Sequence, residues 1–197
     1  DAERLAALNQ GFNDRQIRTA DGKIHLLRRS GDQYREATPG TDWPGFNGDP
    51  GGNRYTTLSQ ITPGNVKNLT ARWVFNIPNT NRLQGTPVVV GGIMYVTSVN
   101  QCIALDSGTG RQLWRWSRPT TPGTVGAGSN RGVASQGDKV FIATDNAHLV
   151  ALNRFTGTEV WEAETADFRQ SYFATGAPVA VGNLVLTGVG GGEHGTR

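Results

Sequence analysis

One stretch of this chain occurs twice. Ala104-Leu105-Asp106-Ser107-Gly108-Thr109-Gly110-Arg111-Gln112-Leu113-Trp114 returns as Ala151-Leu152-Asn153-Arg154-Phe155-Thr156-Gly157-Thr158-Glu159-Val160-Trp161, a period of 47 residues. The match runs without a gap back to Ile93 in the first copy and Val140 in the second. Self-similarity at a fixed period of this length marks a chain built from stacked supersecondary units, none of which can bury its own faces alone.

Each copy has a simple physical reading. Short apolar runs at 102–105 and 148–152 have the length of β-strands. They lead into a turn that opens with Asp106 or Asn153 and closes with Thr-Gly. An Asp or Asn side chain can accept from the backbone N–H groups ahead of it, and glycine takes positive φ without a Cβ clash. The strand that follows carries Trp114 or Trp161, expected as wedges buried between neighbouring sheets.

The same punctuation places four antiparallel strands at 86–90, 93–98, 102–105 and 111–117. Four more follow at 132–135, 140–144, 148–152 and 158–162. A third unit opens with Gly176-Ala177-Pro178-Val179-Ala180-Val181, echoing Gly85-Thr86-Pro87-Val88-Val89-Val90, and continues through 184–187. Four-stranded units of about 40–50 residues predict an all-β fold, a β-propeller. Two blades are complete and a third is half-built, with one outer strand, 72–75, carrying Trp73. A propeller closes with about four blades or more. Further polypeptide, the remainder of the propeller, is therefore expected to cover the open strand edges.

Composition agrees and excludes some functions. The chain has 197 residues, 36% of them hydrophobic, and 27 glycines, which suits turn-rich β structure. The formal net charge is +3, with no run of like charge, so a nucleic-acid partner has no support. The single cysteine, Cys102, allows no internal disulfide and is expected as a small buried apolar group. No stretch reaches the roughly 18 apolar residues of a membrane span. A first residue of Asp1 is compatible with a removed leader peptide.

Residues 1–40 read as a solvated N-terminal extension lying on the body of the protein. Leu5, Leu8 and Phe12 there form one stripe of a short amphipathic helix near 2–12. Residues 41–197 read as the blades. Within them 41–70 is rich in Gly, Pro, Asn and Asp and reads as loop and turn. Thr62-Pro63 is expected to cap and begin one helical turn through Leu69.

Repeat arithmetic locates a site. Gln84, Arg131 and Thr175 each precede the glycine that heads the first strand of a unit. Innermost strands line the channel of a propeller, so these three side chains converge on one rim. The second strand of a blade ends on the same rim, where the third unit carries Gly188-Val189-Gly190-Gly191-Gly192-Glu193-His194-Gly195. Glycines permit close backbone approach to a flat ligand. A carboxylate suits a hard, oxygen-liganded cation such as calcium, and arginine offers forked donors to carboxylate or quinone oxygens. The run lacks the Lys-Ser/Thr of a phosphate-binding loop.

The Trp repeats, the segment Trp43…Asp49-Pro50-Gly51-Gly52-Asn53-Arg54-Tyr55…Leu58…Gln60-Ile61-Thr62…Asn65-Val66, and Gly191-Gly192-Glu193-x-Gly195-x-Arg197 together resemble the pyrroloquinoline quinone (PQQ)-dependent dehydrogenases. The resemblance covers about 43–197 and only the N-terminal part of that family's pattern. It implies an eight-bladed periplasmic quinoprotein that oxidises an alcohol, sugar or other hydroxyl substrate and passes electrons to a cytochrome or ubiquinone. It implies PQQ and Ca2+ as cofactors, a lanthanide being the alternative metal. Glu193 matches the metal-ligating Glu, and Gly191 and Gly192 match backbone that runs against the quinone. Thr175 matches a PQQ-bonding Thr, and Arg131, in Asn130-Arg131-Gly132, a cofactor-binding Arg. Gln84 stands where many alcohol-oxidising members carry Glu.

Two departures accompany the resemblance. Many members have adjacent cysteines that cover one face of PQQ; here Thr124-Val125-Gly126-Ala127-Gly128-Ser129 contains no sulfur, so that face must be covered differently. The family's catalytic base lies beyond this chain, so no residue here is assigned a catalytic role. No Cys-x-x-Cys-His haem attachment motif occurs. The rival expectation is a non-catalytic PQQ-like repeat scaffold of the outer-membrane assembly type, with a sugar-binding propeller as a third.

Overall fold

The computed structural model describes residues 42–48, 52, 54, 56, 58–80, 82–126 and 128–195, and the backbone of three strands before them. Those strands, β1 (Asp14–Arg18), β2 (Ile24–Ser30) and β3 (Gln33–Glu36), form an antiparallel sheet in that order. Strands β2 and β3 pair in a register that sets Ser30 opposite Gln33. The stretch expected as an N-terminal extension contains this meander. The helix expected near 2–12 lies outside the described residues.

The repeat folds as two four-stranded antiparallel sheets and the first half of a third. The first blade has strand order β4 (Val88–Val90), β5 (Ile93–Ser98), β6 (Gln101–Asp106), β7 (Gln112–Ser117). The second has β8 (Ala134–Gln136), β9 (Lys139–Ala143), β10 (His148–Asn153) and β11 (Glu159–Glu164). The third holds β12 (Val179–Val181) and β13 (Leu184–Leu186). Even irregularities repeat: the third-to-fourth strand ladder slips after Ala104 in one blade and after Ala151 in the next.

The turns form as the residue types require. Oδ1 of Asp106 accepts from the N–H groups of Gly108 and Thr109 at 3.0 and 2.9 Å. Oδ1 of Asn153 accepts from Phe155 and Thr156 at 2.9 and 3.1 Å. Gly110 and Gly157 close them at the same φ of 72°.

Both faces of the inner strands β9 and β10 of the second blade are buried, because successive strand side chains point to opposite sides, whereas the outer strand β11 is exposed. Val140, Ile142, Val150 and Leu152 pack with Val88, Tyr95, Cys102 and Ala104 of the first blade. Phe141, Leu149 and Ala151 face Ala180 and Val185 of the third. Complete burial of a Leu or Ile side chain stabilises by about 1.5–3 kcal/mol, so these two interfaces hold the blades together. Cys102 lies in the first interface as a free, fully buried thiol, and desolvation pushes its pKa far up.

Trp114 is the expected wedge, 8% exposed, but Trp161 is not: it remains 36% exposed and stacks on Phe141 of its own blade at 5.8 Å. Trp114 has the next blade's Thr-Gly turn to rest on; Trp161 has no such turn beside it among the described residues. Trp73 does, with its indole N–H donating to the carbonyl of Ser107 at 3.2 Å. The strand expected at 72–75 is absent, and Val74 is 82% exposed. A strand exists only where a neighbour takes its backbone hydrogen bonds. The helical turn is shorter and later than expected, a 3-10 turn at Val66–Asn68. Asn65 stands at the head of this turn without a side-chain bond into it; its Oδ1 accepts instead from the preceding N–H of Thr62 at 2.7 Å.

Candidate functional site

The innermost strands begin later than expected, at Val88, Ala134 and Val179. The residues before them turn their backbone toward the neighbouring blade instead of their own. The N–H of Thr86 donates to the carbonyl of Arg131 at 3.1 Å, and the N–H of Arg131 donates to the carbonyl of Thr175 at 2.9 Å. The blade heads are thus stitched into one arc around the channel.

Side chains follow that arc. Arg131 donates through Nη1 to the hydroxyl of Thr175. Its guanidinium is exposed and held beside a neutral hydroxyl, so the charge is available to an anionic group. Gln84 is exposed and precedes Gly85, whose α-carbon packs against the Thr97 hydroxyl and the carbonyl of Asn130. The repeat position expected to converge does converge for Arg131 and Thr175, with Gln84 beside the same arc and free of a direct bond to either.

Asn130 makes this geometry rigid. It is buried, its Nδ2 donates to the carbonyl of Ala143 at 2.9 Å, and its Oδ1 accepts from Gly132 at 2.8 Å. Arg131 is thereby fixed between a buried clamp and the Thr175 backbone.

The glycine-rich loop joins the same rim through Phe173. Phe173 and Gly190 exchange backbone hydrogen bonds at 3.3 and 2.8 Å, and Phe173 lies two positions before Thr175. A 3-10 turn at Gly192–His194 follows. Gly191 is buried at φ 135°, a backbone conformation that only glycine takes at ease. Glu193 is exposed, and its Oε2 accepts from the N–H of Gly191 at 3.3 Å. Hydrogen bonds from its own N–H and from that of Gly191 hold its carboxyl below the usual glutamate range, so it is ionised at neutral pH.

A cleft opens below the arc, lined by Arg131, Ala134 and Ser135 on one side and by Ala177, Pro178 and Ala180 on another. Its floor is Pro44–Gly48, a stretch laid across the inner strands. Trp43 pairs with Val89, and the N–H of Ser135 donates to the carbonyl of Pro44 at 2.8 Å. No atom stands within 4 Å of where a Cβ would project at Gly176, Gly188 or Gly192. The exposed guanidinium of Arg131, held by the Thr175 hydroxyl, suits an oxygen-rich anion, and Glu193, which does not line this cleft, offers an ionised carboxylate to a hard cation. Among the described residues no group of three or more His, Cys, Asp or Glu side chains surrounds a single point, so Glu193 is a lone candidate ligand.

Sequence reasoning missed three contributors. Phe173 has no counterpart at its repeat position, where the other units carry Ser129 and Arg82. Arg82 also reaches the rim, its Nη1 standing 3.5 Å from where a Gly128 Cβ would be. Trp43–Gly48 looked like plain loop because its pairing partners lie far along the chain.

Comparison with known proteins agrees with this geometry. Residues 43–170 match the family described as PQQ glucose/ethanol/alcohol dehydrogenase, beta-propeller domain. The chain is 38% identical over 165 residues to the 1-butanol dehydrogenase (cytochrome c) of Thauera butanivorans, covering 80% of this chain and 24% of that protein. The solved quinohemoprotein alcohol dehydrogenase of Comamonas testosteroni superposes with a TM-score of 0.70 at 36% identity, over 82% of this chain and 25% of the other. A europium-containing methanol dehydrogenase gives a TM-score of 0.70 at 34% identity, over 79% and 28%. The chain thus spans about a quarter of the length of the relatives it matches. These relatives are named as dehydrogenases. Repeat, blade packing and rim residues meet in one conclusion: the chain belongs to the PQQ-dependent glucose/ethanol/alcohol dehydrogenase β-propeller family.

Proposed function

We propose that this chain is the N-terminal part of a periplasmic, PQQ- and calcium-dependent dehydrogenase that oxidises an alcohol or related hydroxyl compound. Its electrons would go to a cytochrome or ubiquinone. The observation that carries the reading is the Arg131–Thr175 pair on adjacent blade heads, beside a glycine loop that ends in the ionised Glu193.

The bound quinone supplies the two-electron acceptor, and the metal supplies a Lewis acid. This chain's residues bind and orient. Arg131 offers forked donors to anionic oxygens and stabilises negative charge growing there, an electrostatic contribution that is largest away from water. Thr175 orients that guanidinium and keeps one hydroxyl at the rim. Gly191 and Gly192 let a planar group approach the backbone. Glu193 contributes one carboxylate to a cation; europium in a related methanol dehydrogenase makes a lanthanide the alternative to calcium. Gln84 keeps an amide where a charged Glu would add a negative charge. The remainder of the propeller supplies the base that takes the substrate proton and further metal ligands.

The test uses the full-length protein purified without quinone. Adding PQQ with calcium, or with a lanthanide, is expected to change the absorbance spectrum and to start dye-linked oxidation of primary alcohols. Absence of both with either metal overturns the reading and favours a scaffold; calcium binding with no quinone binding favours a sugar-binding propeller.

A further inference from the structure

One contact ties together three segments of the rim that are far apart in sequence. The ring of Phe173, 8% exposed, is gripped between two α-carbons. A Cβ on Gly126 would stand 2.6 Å from its Cζ, and a Cβ on Gly190 would stand 2.7 Å from the same atom. His194 meets the ring edge-on, with centroids 6.2 Å apart at 64°. Phe173 also exchanges backbone hydrogen bonds with Gly190.

The segment that carries Gly126 connects the first blade to the second and is stapled at both ends to the second. At its start, Arg118 donates to Thr144 and Asn146 at 2.7 and 3.1 Å. The N–H and hydroxyl of Thr121 donate to the buried carboxylate of Asp145 at 2.7 and 2.9 Å. At its end stands the Asn130 clamp. Between these staples Gly126 reaches across to the third blade and rests on Phe173.

We propose that Phe173 is a positioning residue of the quinone site. Its ring locks the connection 123–126 and the glycine loop 188–195 to the blade head that carries Thr175. It thereby sets the width of the mouth and the place of Glu193. This is how the rim is closed where the connection carries Val125-Gly126 and no sulfur: an aromatic ring takes up the space beneath a bare glycine. A larger residue at either glycine would collide with the ring, and a smaller one at 173 would let both loops relax. The inference rests on the proposed quinone site.

The experiment measures PQQ affinity of the calcium-loaded full-length protein by quenching of tryptophan fluorescence, with the melting midpoint of each quinone-free variant alongside. Gly190 lies outside the left-handed region, so Gly190→Ala tests the steric grip alone. It is expected to weaken PQQ binding at least tenfold. Adding Phe173→Leu, which drops the colliding ring atom and keeps an apolar side chain, is expected to restore affinity to within about threefold of the parent. Phe173→Ala alone is expected to weaken binding at least tenfold and to expose 123–126 to limited proteolysis. Should Gly190→Ala not fold, the Phe173→Ala affinity and cleavage pattern carry the test. Parent-like affinity in Gly190→Ala or Phe173→Ala, or a lowered midpoint with unchanged affinity, overturns the role of Phe173. A parent that binds no PQQ overturns the reading of the site itself, and this inference with it.

Discussion

Trp114 lies flat on the α-carbon of Gly157, with indole atoms 2.6 and 2.7 Å from where a Cβ would be. Its Nε1–H donates to the carbonyl of Arg154 at 2.9 Å. Trp73 repeats the arrangement one blade earlier, on Gly110 and the carbonyl of Ser107. A Trp at the end of one unit, on strand β7 for Trp114 and on irregular chain for Trp73, thus clamps the Thr-Gly turn of the next.

Gly157→Ala should therefore destabilise strongly, for two reasons that add. The left-handed backbone costs an L-residue about 1–2 kcal/mol. The methyl must also displace an indole held by a hydrogen bond, an overpacking cost of about 1–3 kcal/mol. Urea unfolding of the full-length protein should show a loss of roughly 2–5 kcal/mol in the transition that melts this interface. A loss no larger than that of Gly137→Ala, where φ is also positive and no atom lies within 4 Å, would refute the clamp.

Asn130→Ala removes both halves of a buried clamp. It leaves the carbonyl of Ala143 and the N–H of Gly132 without their side-chain partner. Each buried unsatisfied group costs about 1–3 kcal/mol. The expected result is a loss of a few kcal/mol, together with weaker quinone binding because Arg131 is no longer held. Asn130→Asp should rescue only the bond from Gly132, since an ionised carboxylate cannot donate to Ala143.

Arg131→Lys keeps the charge and loses the fork. Hydrogen bonds to charged groups are worth about 1.5–3 kcal/mol, so PQQ affinity should fall roughly 10–100-fold in a fluorescence titration. Thr175→Val should fall less, because it removes one neutral hydroxyl and leaves the guanidinium in place. Equal losses from the two substitutions would contradict the electrostatic role given to Arg131.

Acid should loosen the junction between the first two blades. Partial burial works to raise the Glu162 carboxyl, but hydrogen bonds and charge from Arg118, then His148, outweigh it and hold its pKa below the usual value. A depressed carboxylate pKa adds stability that is fully present above the unfolded-state value, about 4.3, and is lost as pH falls through the folded-state value. Thermal midpoints of the full-length protein from pH 6 to pH 3 should therefore drop, and Glu162→Gln should flatten part of that drop. An unchanged slope in the variant would show that the Arg118–Glu162 contact at 2.7 Å contributes little.

Much of the blade architecture was legible because its causes are local. Asp106, Asn153, Gly110 and Gly157 dictate their turns by residue type, and the period carried the pattern from one blade to the next. Boundaries slipped where backbone groups bond outside their own sheet: Thr86 leaves the strand expected at 86–90 to bond the carbonyl of Arg131 on the neighbouring head. The 72–75 strand failed for the same kind of reason, since sequence shows strand-forming residues but not whether a partner stands beside them. The three strands within 14–36 were not anticipated, because they alternate weakly between apolar and polar.

Arg131 and Thr175 could be picked out from spacing alone, because equal positions in a repeat fall at equal places around an axis. Phe173 could not, since its meaning comes from Gly126 and Gly190, 47 residues before it and 17 after. The sequence by itself determined the unit, its turns, the wedge of Trp114 and the arc on which the polar blade heads stand. Only the tertiary structure decided which loops close over that arc, which Trp is covered and what Arg131 leans on. Turns and strands are encoded by neighbours in the chain, whereas the width of a mouth depends on packing between segments whose separation no local pattern records.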